Sequence, residues 1–292
     1  MPFIENNDII NPIEYLSYCA NYTEIYHDNL LLSKATSFFY YKNKQLYLIS
    51  NWHVFSGQSP KADKDGKFKF ENKAASIPNK LKVYICGWKD DEKLSLNIKG
   101  TLELPLLDND EKTLFKSKKI NDNEYIDIAC MEIDASLFVK NGEQISGLPI
   151  CVNNVFPETI KSKYNIHPTD DVFVIGYPFG QIEDLPIWKR ASIASVSNES
   201  YKIYIDTATK SGMSGSPVFY VTKGNYLSLN GKEYPEERTY MVEFIGIYSG
   251  RIIENIEDNN DDSYVKVNDY DLSAAAQLGI LWKKSAIDDV ID

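Results

Sequence analysis

The chain alternates between short, apolar, aromatic-rich runs and polar links. The clearest unit is a pair of such runs. Ala35-Thr36-Ser37-Phe38-Phe39-Tyr40-Tyr41 and Leu46-Tyr47-Leu48-Ile49-Ser50 flank a polar Lys42-Asn43-Lys44-Gln45 link, which is the pattern of a β-hairpin. Runs of strand composition follow at residues 81–85, 94–104, 125–133, 171–176, 191–196, 202–206, 218–221 and 240–248. Residues 1–33 are mixed, and Pro12 to Leu16 resembles the Pro-initiated first turn of a short helix. Near the end, an Ala-rich stretch places apolar residues at 272, 275, 278/279 and 282, predicting an amphipathic helix over about 269–283. The polar stretches 56–79 and 222–239 are longer than ordinary connections. Many short strands and few helices predict an all-β barrel architecture with a C-terminal helix. No repeat or linker divides the chain, so a single domain over 1–292 is expected.

Composition narrows the function more than the fold. Hydrophobic residues at 43% and charged residues at 25% are ordinary globular values, and no apolar run approaches the ~20 residues of a membrane span. A net charge of −11 without a dense Lys/Arg cluster argues against nucleic acid as a partner. The first residues carry acids and amides where a signal peptide has positive charge and an apolar block, so a cytoplasmic location is expected. Cys19, Cys86, Cys130 and Cys151 stand far apart with no C-x-x-C pair. They read as free thiols in a reducing compartment, with neither metal nor cofactor implied.

The candidate chemistry centres on Lys210-Ser211-Gly212-Met213-Ser214-Gly215-Ser216-Pro217, a small-residue turn that enters a strand. Gly212 and Gly215 let the backbone bend and leave amide N–H groups unpaired beside one hydroxyl. A nucleophilic Ser214 needs a base, and the chain has three histidines, all before it. His27 and His167 sit in polar surroundings and read as surface residues. His53 follows the second hairpin strand in Asn51-Trp52-His53-Val54-Phe55, where apolar neighbours would hold its ring still. In 125–133, a period of two puts Asp127 on one strand face with Tyr125, Ala129, Met131 and Ile133. A carboxylate there must find donors, either backbone amides or an imidazole that it orients. An α/β-hydrolase would place its histidine after the serine and follow the serine with a helix. The order here is His53, Asp127, Ser214.

Ser50-Asn51-Trp52-His53-Val54, Ile126-Asp127-Ile128-Ala129 and Gly212-Met213-Ser214-Gly215-Ser216-Pro217 resemble the three motifs of chymotrypsin-fold serine peptidases. More closely they resemble the peptidase domains of bacterial HtrA/Deg type. Val174-Ile175-Gly176-Tyr177-Pro178-Phe179-Gly180 and Glu243-Phe244-Ile245-Gly246-Ile247 add to that similarity. The resemblance implies a double six-stranded β-barrel, with halves over about 30–155 and 156–265. It also implies a serine endopeptidase acting on protein or peptide substrates. Ser214 would be its nucleophile, His53 its base, Asp127 the orienting acid, and the N–H groups of Gly212 and Ser214 its oxyanion hole. Ala208, Ser249 and Arg251 would line the substrate pocket, and Ser249 matches a position that bonds the acid. No PDZ domain is expected after the C-terminal helix. Met213 replaces the acid that pairs with a new N-terminus in digestive enzymes, so activation by that route is not expected. Two further readings stand beside this one: a catalytically silent interaction module, and a latent protease awaiting an activating protein partner.

Overall fold

The computed structural model describes residues 16–86, 98–138, 149–153, 166–180, 185–223, 240–251 and 278–292. Most of its strands form two six-stranded sheets, each with a core of its own and a further core between them. The first sheet contains β1 (Ala20–His27), β2 (Leu30–Lys42), β3 (Gln45–Ser50), β4 (Lys80–Cys86), β5 (Ile98–Pro105) and β8 (Ala129–Ile133). They run in the order β5-β4-β1-β2-β3-β8, a half-barrel with β5 and β8 at its edges. β6 (Lys119–Asn121) and β7 (Glu124–Tyr125) pair separately. The second set is β9 (Asp171–Gly176), β10 (Ile187–Val196), β11 (Lys202–Asp206), β12 (Pro217–Lys223), β13 (Tyr240–Arg251) and β14 (Leu278–Lys283). It closes into a barrel in the order β10-β11-β14-β13-β12-β9. This is the chymotrypsin-like double-barrel fold.

Burial explains why the hairpin strands read as nearly continuous apolar runs. Along β2 every residue from Ala35 to Tyr40 is buried. One face, with Ala35 and Phe39, enters the core of the half-barrel together with Leu48, Leu81 and Val83. The other, with Phe38 and Tyr40, enters a core shared with the second barrel, where Ile175, Phe219, Phe244 and Ile247 meet it. A third cluster, including Val172, Ile205, Met213 and Leu281, fills the closed barrel.

Two expectations need correction. Residues 278–283 form β14 and not the end of a helix; the rest of the expected helix, 269–277, lies outside the described residues. β14 fills the gap between β11 and β13, so ladder hydrogen bonds on both sides outweigh the local helical spacing. The observed C-terminal helix, α2 (Lys284–Ile291), follows directly. The half-barrel also begins earlier than residue 30, because β1 is one of its central strands. β1 lacks an apolar alternation because polar pairs do that work. Thr23 and Ser37 hydroxyls bond at 2.7 Å, and buried Glu24 accepts from Tyr22 at 3.2 Å, Tyr26 at 2.8 Å and Tyr84 at 2.9 Å.

α2 continues the second barrel but is fastened to the first. Ala286, Ile287, Val290 and Ile291 are buried in the shared core. Lys116 Nζ donates to the Ile291 carbonyl at 2.9 Å, and Lys42 Nζ donates to the Asp288 carbonyl at 2.9 Å and meets Asp292 Oδ1 at 2.7 Å. Cations at a helix C-terminus face its exposed carbonyls and partial negative charge. The apolar contacts outweigh these part-exposed ion pairs. Ile287→Ala is expected to lower stability by about 2–5 kcal/mol, and Lys118→Ala, which removes a solvent-screened pair with Asp289, by much less; urea denaturation measures both.

Candidate active site

His53 is positioned by a short helix at the end of β3. The Asn51 carbonyl accepts the N–H groups of Val54 at 3.2 Å and Phe55 at 3.3 Å, which starts α1 (Trp52–Ser56). Trp52, Val54 and Phe55 are buried, and the Trp52 ring stacks on Tyr125 with centroids 4.3 Å apart. Gly57 ends the helix with φ 71°, where a Cβ would come within 2.6 Å of Pro78. With its neighbours packed inward, His53 keeps its ring at the surface of the cleft, 19% exposed.

Asp127 lies just before β8, in a turn closed by the Ile128 N–H to the Ile126 carbonyl at 2.7 Å. This departs from the expected strand position. The turn is favoured because it presents the side chain and the backbone of Asp127 to two different partners. Asn51 Nδ2 donates to the Asp127 carbonyl at 2.9 Å. The carboxylate, almost wholly buried, accepts the His53 backbone N–H at 2.9 Å on Oδ1. On Oδ2 it meets His53 Nδ1 at 2.8 Å and accepts the Ser249 hydroxyl. Burial pushes the Asp127 pKa up, but the His53 charge and these hydrogen bonds outweigh it and hold the carboxyl below its ordinary range. Burial likewise pushes His53 down, and the Asp127 charge and hydrogen bond outweigh it, so His53 titrates above its ordinary value.

The loop around Ser214 is held from three sides. Met213 is buried in the core of the closed barrel, an apolar anchor where digestive enzymes use an ion pair. Gly212, with φ +95°, passes so close to the turn after β9 that a Cβ would come within 2.3 Å of the Tyr177 carbonyl. The Ser211 carbonyl accepts the Phe179 N–H at 2.7 Å, and the Met213 carbonyl accepts the Ser216 N–H at 3.1 Å. In a trans peptide the N–H points opposite to the C=O, so these bonds turn the N–H groups of Gly212 and Ser214 away from those partners. Neither N–H donates to an acceptor among the described residues. Two free donors beside a hydroxyl form an arrangement able to bind a developing oxyanion.

A residue from the first sheet completes the support. Thr36 is fully buried; its hydroxyl donates to the Gly212 carbonyl at 3.0 Å and accepts the Tyr177 N–H at 3.1 Å. Its backbone N–H bonds the Ser214 carbonyl at 2.9 Å, and its carbonyl accepts from Ser50 Oγ at 2.8 Å. In the sequence, the one signal for Thr36 is a hydroxyl inside a strand followed by aromatic residues. Gly176 is required at the same junction, where a Cβ would lie 1.9 Å from Ser216 Oγ and 2.8 Å from Thr36 Oγ1.

His53 and Asp127 are therefore in direct contact, and Ser249 joins them to Ser214. The Ser214 hydroxyl, half-buried, donates to the Ser249 carbonyl at 3.1 Å, and no hydrogen bond joins it to His53 among the described residues. Ala208 is half-buried, Arg251 is exposed, and the Ser249 hydroxyl faces Asp127. His27 and His167 are exposed, away from this group. Among the described residues no cluster of three or more His, Cys, Asp or Glu is placed to hold a metal. A cavity of about 1150 Å³ opens on the first sheet between Phe55, Ile77, Leu104 and Phe115, but neither His53 nor Ser214 lines it.

The chain belongs to the family of the trypsin-like peptidase domain, whose model matches residues 35–227. Comparison with solved structures gives distant likenesses. A serine endoprotease from Yersinia pestis is 10% identical with a TM-score of 0.47, covering 96% of this chain and 64% of that one. The protease Rv3671c from M. tuberculosis is 13% identical in its active form, with a TM-score of 0.44 and coverage of 100% and 92%. Its inactive form is 12% identical with a TM-score of 0.42 and coverage of 100% and 98%. No curated protein matches the sequence.

The His53–Asp127 pair fixes a pH response. His53, raised in the folded state, contributes stability fully below its unfolded value near 6.5 and loses it as pH rises through the folded value. Asp127, lowered, contributes stability above its unfolded value near 3.8 and loses it as pH falls through the folded value. The pair's joint contribution is therefore complete between those two unfolded values. NMR titration of the His53 ring is expected to show a midpoint above 6.5, and Asp127→Asn is expected to move it down, because the charge that chiefly offsets burial is then removed.

Proposed function

We propose that the protein is a serine endopeptidase that hydrolyses peptide bonds in protein substrates through an acyl-enzyme. The observation that carries this reading is the pair of unpaired N–H groups, Gly212 and Ser214, beside a hydroxyl linked through Ser249 to the His53–Asp127 pair. Rotation of the Ser214 side chain off the Ser249 carbonyl frees its proton for His53, and the backbone stays in place. Ser214 Oγ then attacks the carbonyl carbon, His53 takes the proton, and the carbonyl oxygen gains negative charge between the two N–H groups. His53 returns the proton to the leaving amine as the C–N bond breaks. Water, deprotonated by His53, cleaves the resulting ester and restores Ser214. Asp127 holds the tautomer with Nδ1–H facing it and stabilises the imidazolium. It stays ionised, consistent with its lowered pKa.

A silent interaction module is disfavoured by the retention of every one of these groups. A latent enzyme draws support from the Ser214–Ser249 hydrogen bond, which parks the nucleophile. Fluorophosphonate labelling separates the readings. The peptidase is expected to label at Ser214 in the purified protein, the latent form only after cell lysate is added, and the silent module under neither condition. Ser214→Ala is expected to abolish labelling and lower kcat by roughly 10⁶-fold; proteolysis that survives it would overturn the mechanism. Thr36→Val, which keeps shape and removes the hydroxyl bond to Gly212, is expected to lower kcat by about 10- to 100-fold with KM unchanged. Thr36→Ser is expected to restore it.

A further inference from the structure

The cavity on the first sheet, about 1150 Å³, exceeds the roughly 300–1,000 Å³ of a small-molecule pocket. Its inner wall is apolar. Trp52 and Phe55 of α1 line it together with Leu104 and Phe115, and the Phe55 and Phe115 rings meet edge to face with centroids 5.5 Å apart. The apolar surface runs on past the mouth: Ile77 is 49% exposed, and Leu30, paired with the mouth residue His27 across the β1–β2 hairpin, is 54% exposed. The rim is acidic. It holds Asp28, Glu103, Asp108 and Glu111, and Lys80 is the one lysine or arginine among the described lining residues. Lys80 meets Glu103 at 3.9 Å. Asp28 and Asp108 are hydrogen-bonded by neutral donors, the Asn79 amide at 2.7 Å and the N–H groups of Asp110 and Lys112 at 2.8 and 2.9 Å. The Glu111 carboxylate has no partner among the described residues. The rim therefore keeps an excess of negative charge.

The same cavity touches the supports of the His53–Asp127 pair. Ser56 lines it as well as Trp52 and Phe55, so the helix that carries His53 forms part of its wall. Tyr125, which stacks on Trp52, lines it too and lies just before Asp127 in the chain. An occupant packs against both segments at once.

We infer that this cavity is the docking site of a partner protein, engaged through a segment that sets bulky apolar side chains beside lysine or arginine. The apolar side chains fill the space lined by Phe55 and Leu104, and the cations meet the rim carboxylates. Apolar surface that extends beyond the mouth suits a polypeptide better than a small organic cation. Occupancy steadies α1 and so speeds attack by Ser214. This coupling rests on the serine-peptidase reading above, whereas the docking site does not.

Binding is tested on the full chain as Ser214→Ala, which cannot cleave a bound peptide. Random linear peptides displayed on phage are selected against it, and the enriched sequences are measured as labelled synthetic peptides by fluorescence anisotropy. They are expected to combine Lys or Arg with Phe, Leu or Trp. Glu103→Lys/Glu111→Lys, at two exposed positions, is expected to weaken them at least about tenfold, because like charges then meet. Ile77→Ser, which removes apolar surface at the mouth, is expected to weaken them about 5- to 10-fold. No enrichment, enrichment of peptides without cations, or affinities that neither variant changes would overturn the docking site. So would binding of small organic cations with none of peptides. Added to wild type, a selected peptide is expected to speed fluorophosphonate labelling of Ser214 by about fivefold or more. An unchanged or slower rate with peptide bound would overturn the coupling to His53. A wild type that binds peptide yet labels under no condition, lysate included, would sink the peptidase reading and leave the docking site standing.

Discussion

The burial of the Asp127 carboxylate is the constraint from which the rest of the site follows. A charge removed from water is costly unless donors surround it, and here the donors come from separate parts of the fold. The His53 backbone and ring belong to α1, while the Ser249 hydroxyl belongs to β13 of the closed barrel. Meeting the needs of one side chain therefore fixes the two barrels relative to each other. It also fixes the tautomer and pose of the imidazole, since Nδ1 is held on Oδ2 of Asp127 while the His53 main chain is held on Oδ1. The same contacts that satisfy the buried charge hold the His53 ring in one pose.

Thr36 also bonds one barrel to the other, and it acts on the backbone of the Ser214 loop. Its hydroxyl uses both of its capacities, donating to Gly212 and accepting from Tyr177, and its main chain holds Ser214 and Ser50. The loop is thereby locked between a strand of one barrel and a turn of the other. Glycines at 176, 212 and 215 are demanded by how closely these segments approach, since a Cβ at each would lie only 1.9, 2.3 and 2.0 Å from its nearest neighbour. Rigidity of this kind suits groups that must be aimed before charge develops.

Much of this was legible in the residues. The hairpin, the position of His53 at its end and the small-residue turn at Ser214 follow from local pattern, because aromatic runs and glycines carry information within a few positions. Asp127 was found by its chemistry, yet its turn was not, since nothing local shows that its backbone carbonyl would be claimed by Asn51. β1 was hidden because Thr23 and Glu24 are buried in hydrogen-bonded pairs and triads that look solvated in one dimension. β14 was hidden for the opposite reason: Leu278 to Trp282 fits a helical spacing, and only neighbouring strands on both sides decide against it.

The placement of β14 has a consequence for the order in which the molecule is assembled. The strand lies between β11 and β13, although it follows Ser214, β12 and β13 in the chain. A polypeptide growing from its N-terminus thus acquires the Ser214 loop before the strand that closes the barrel. Until residues 278–291 emerge, β11 and β13 keep open edges and the shared core lacks the face supplied by α2. Ordering of the Ser214 loop is in this way tied to the emergence of residues 278–291, so that a nascent chain carries Ser214 before it has the strand and helix that complete its support.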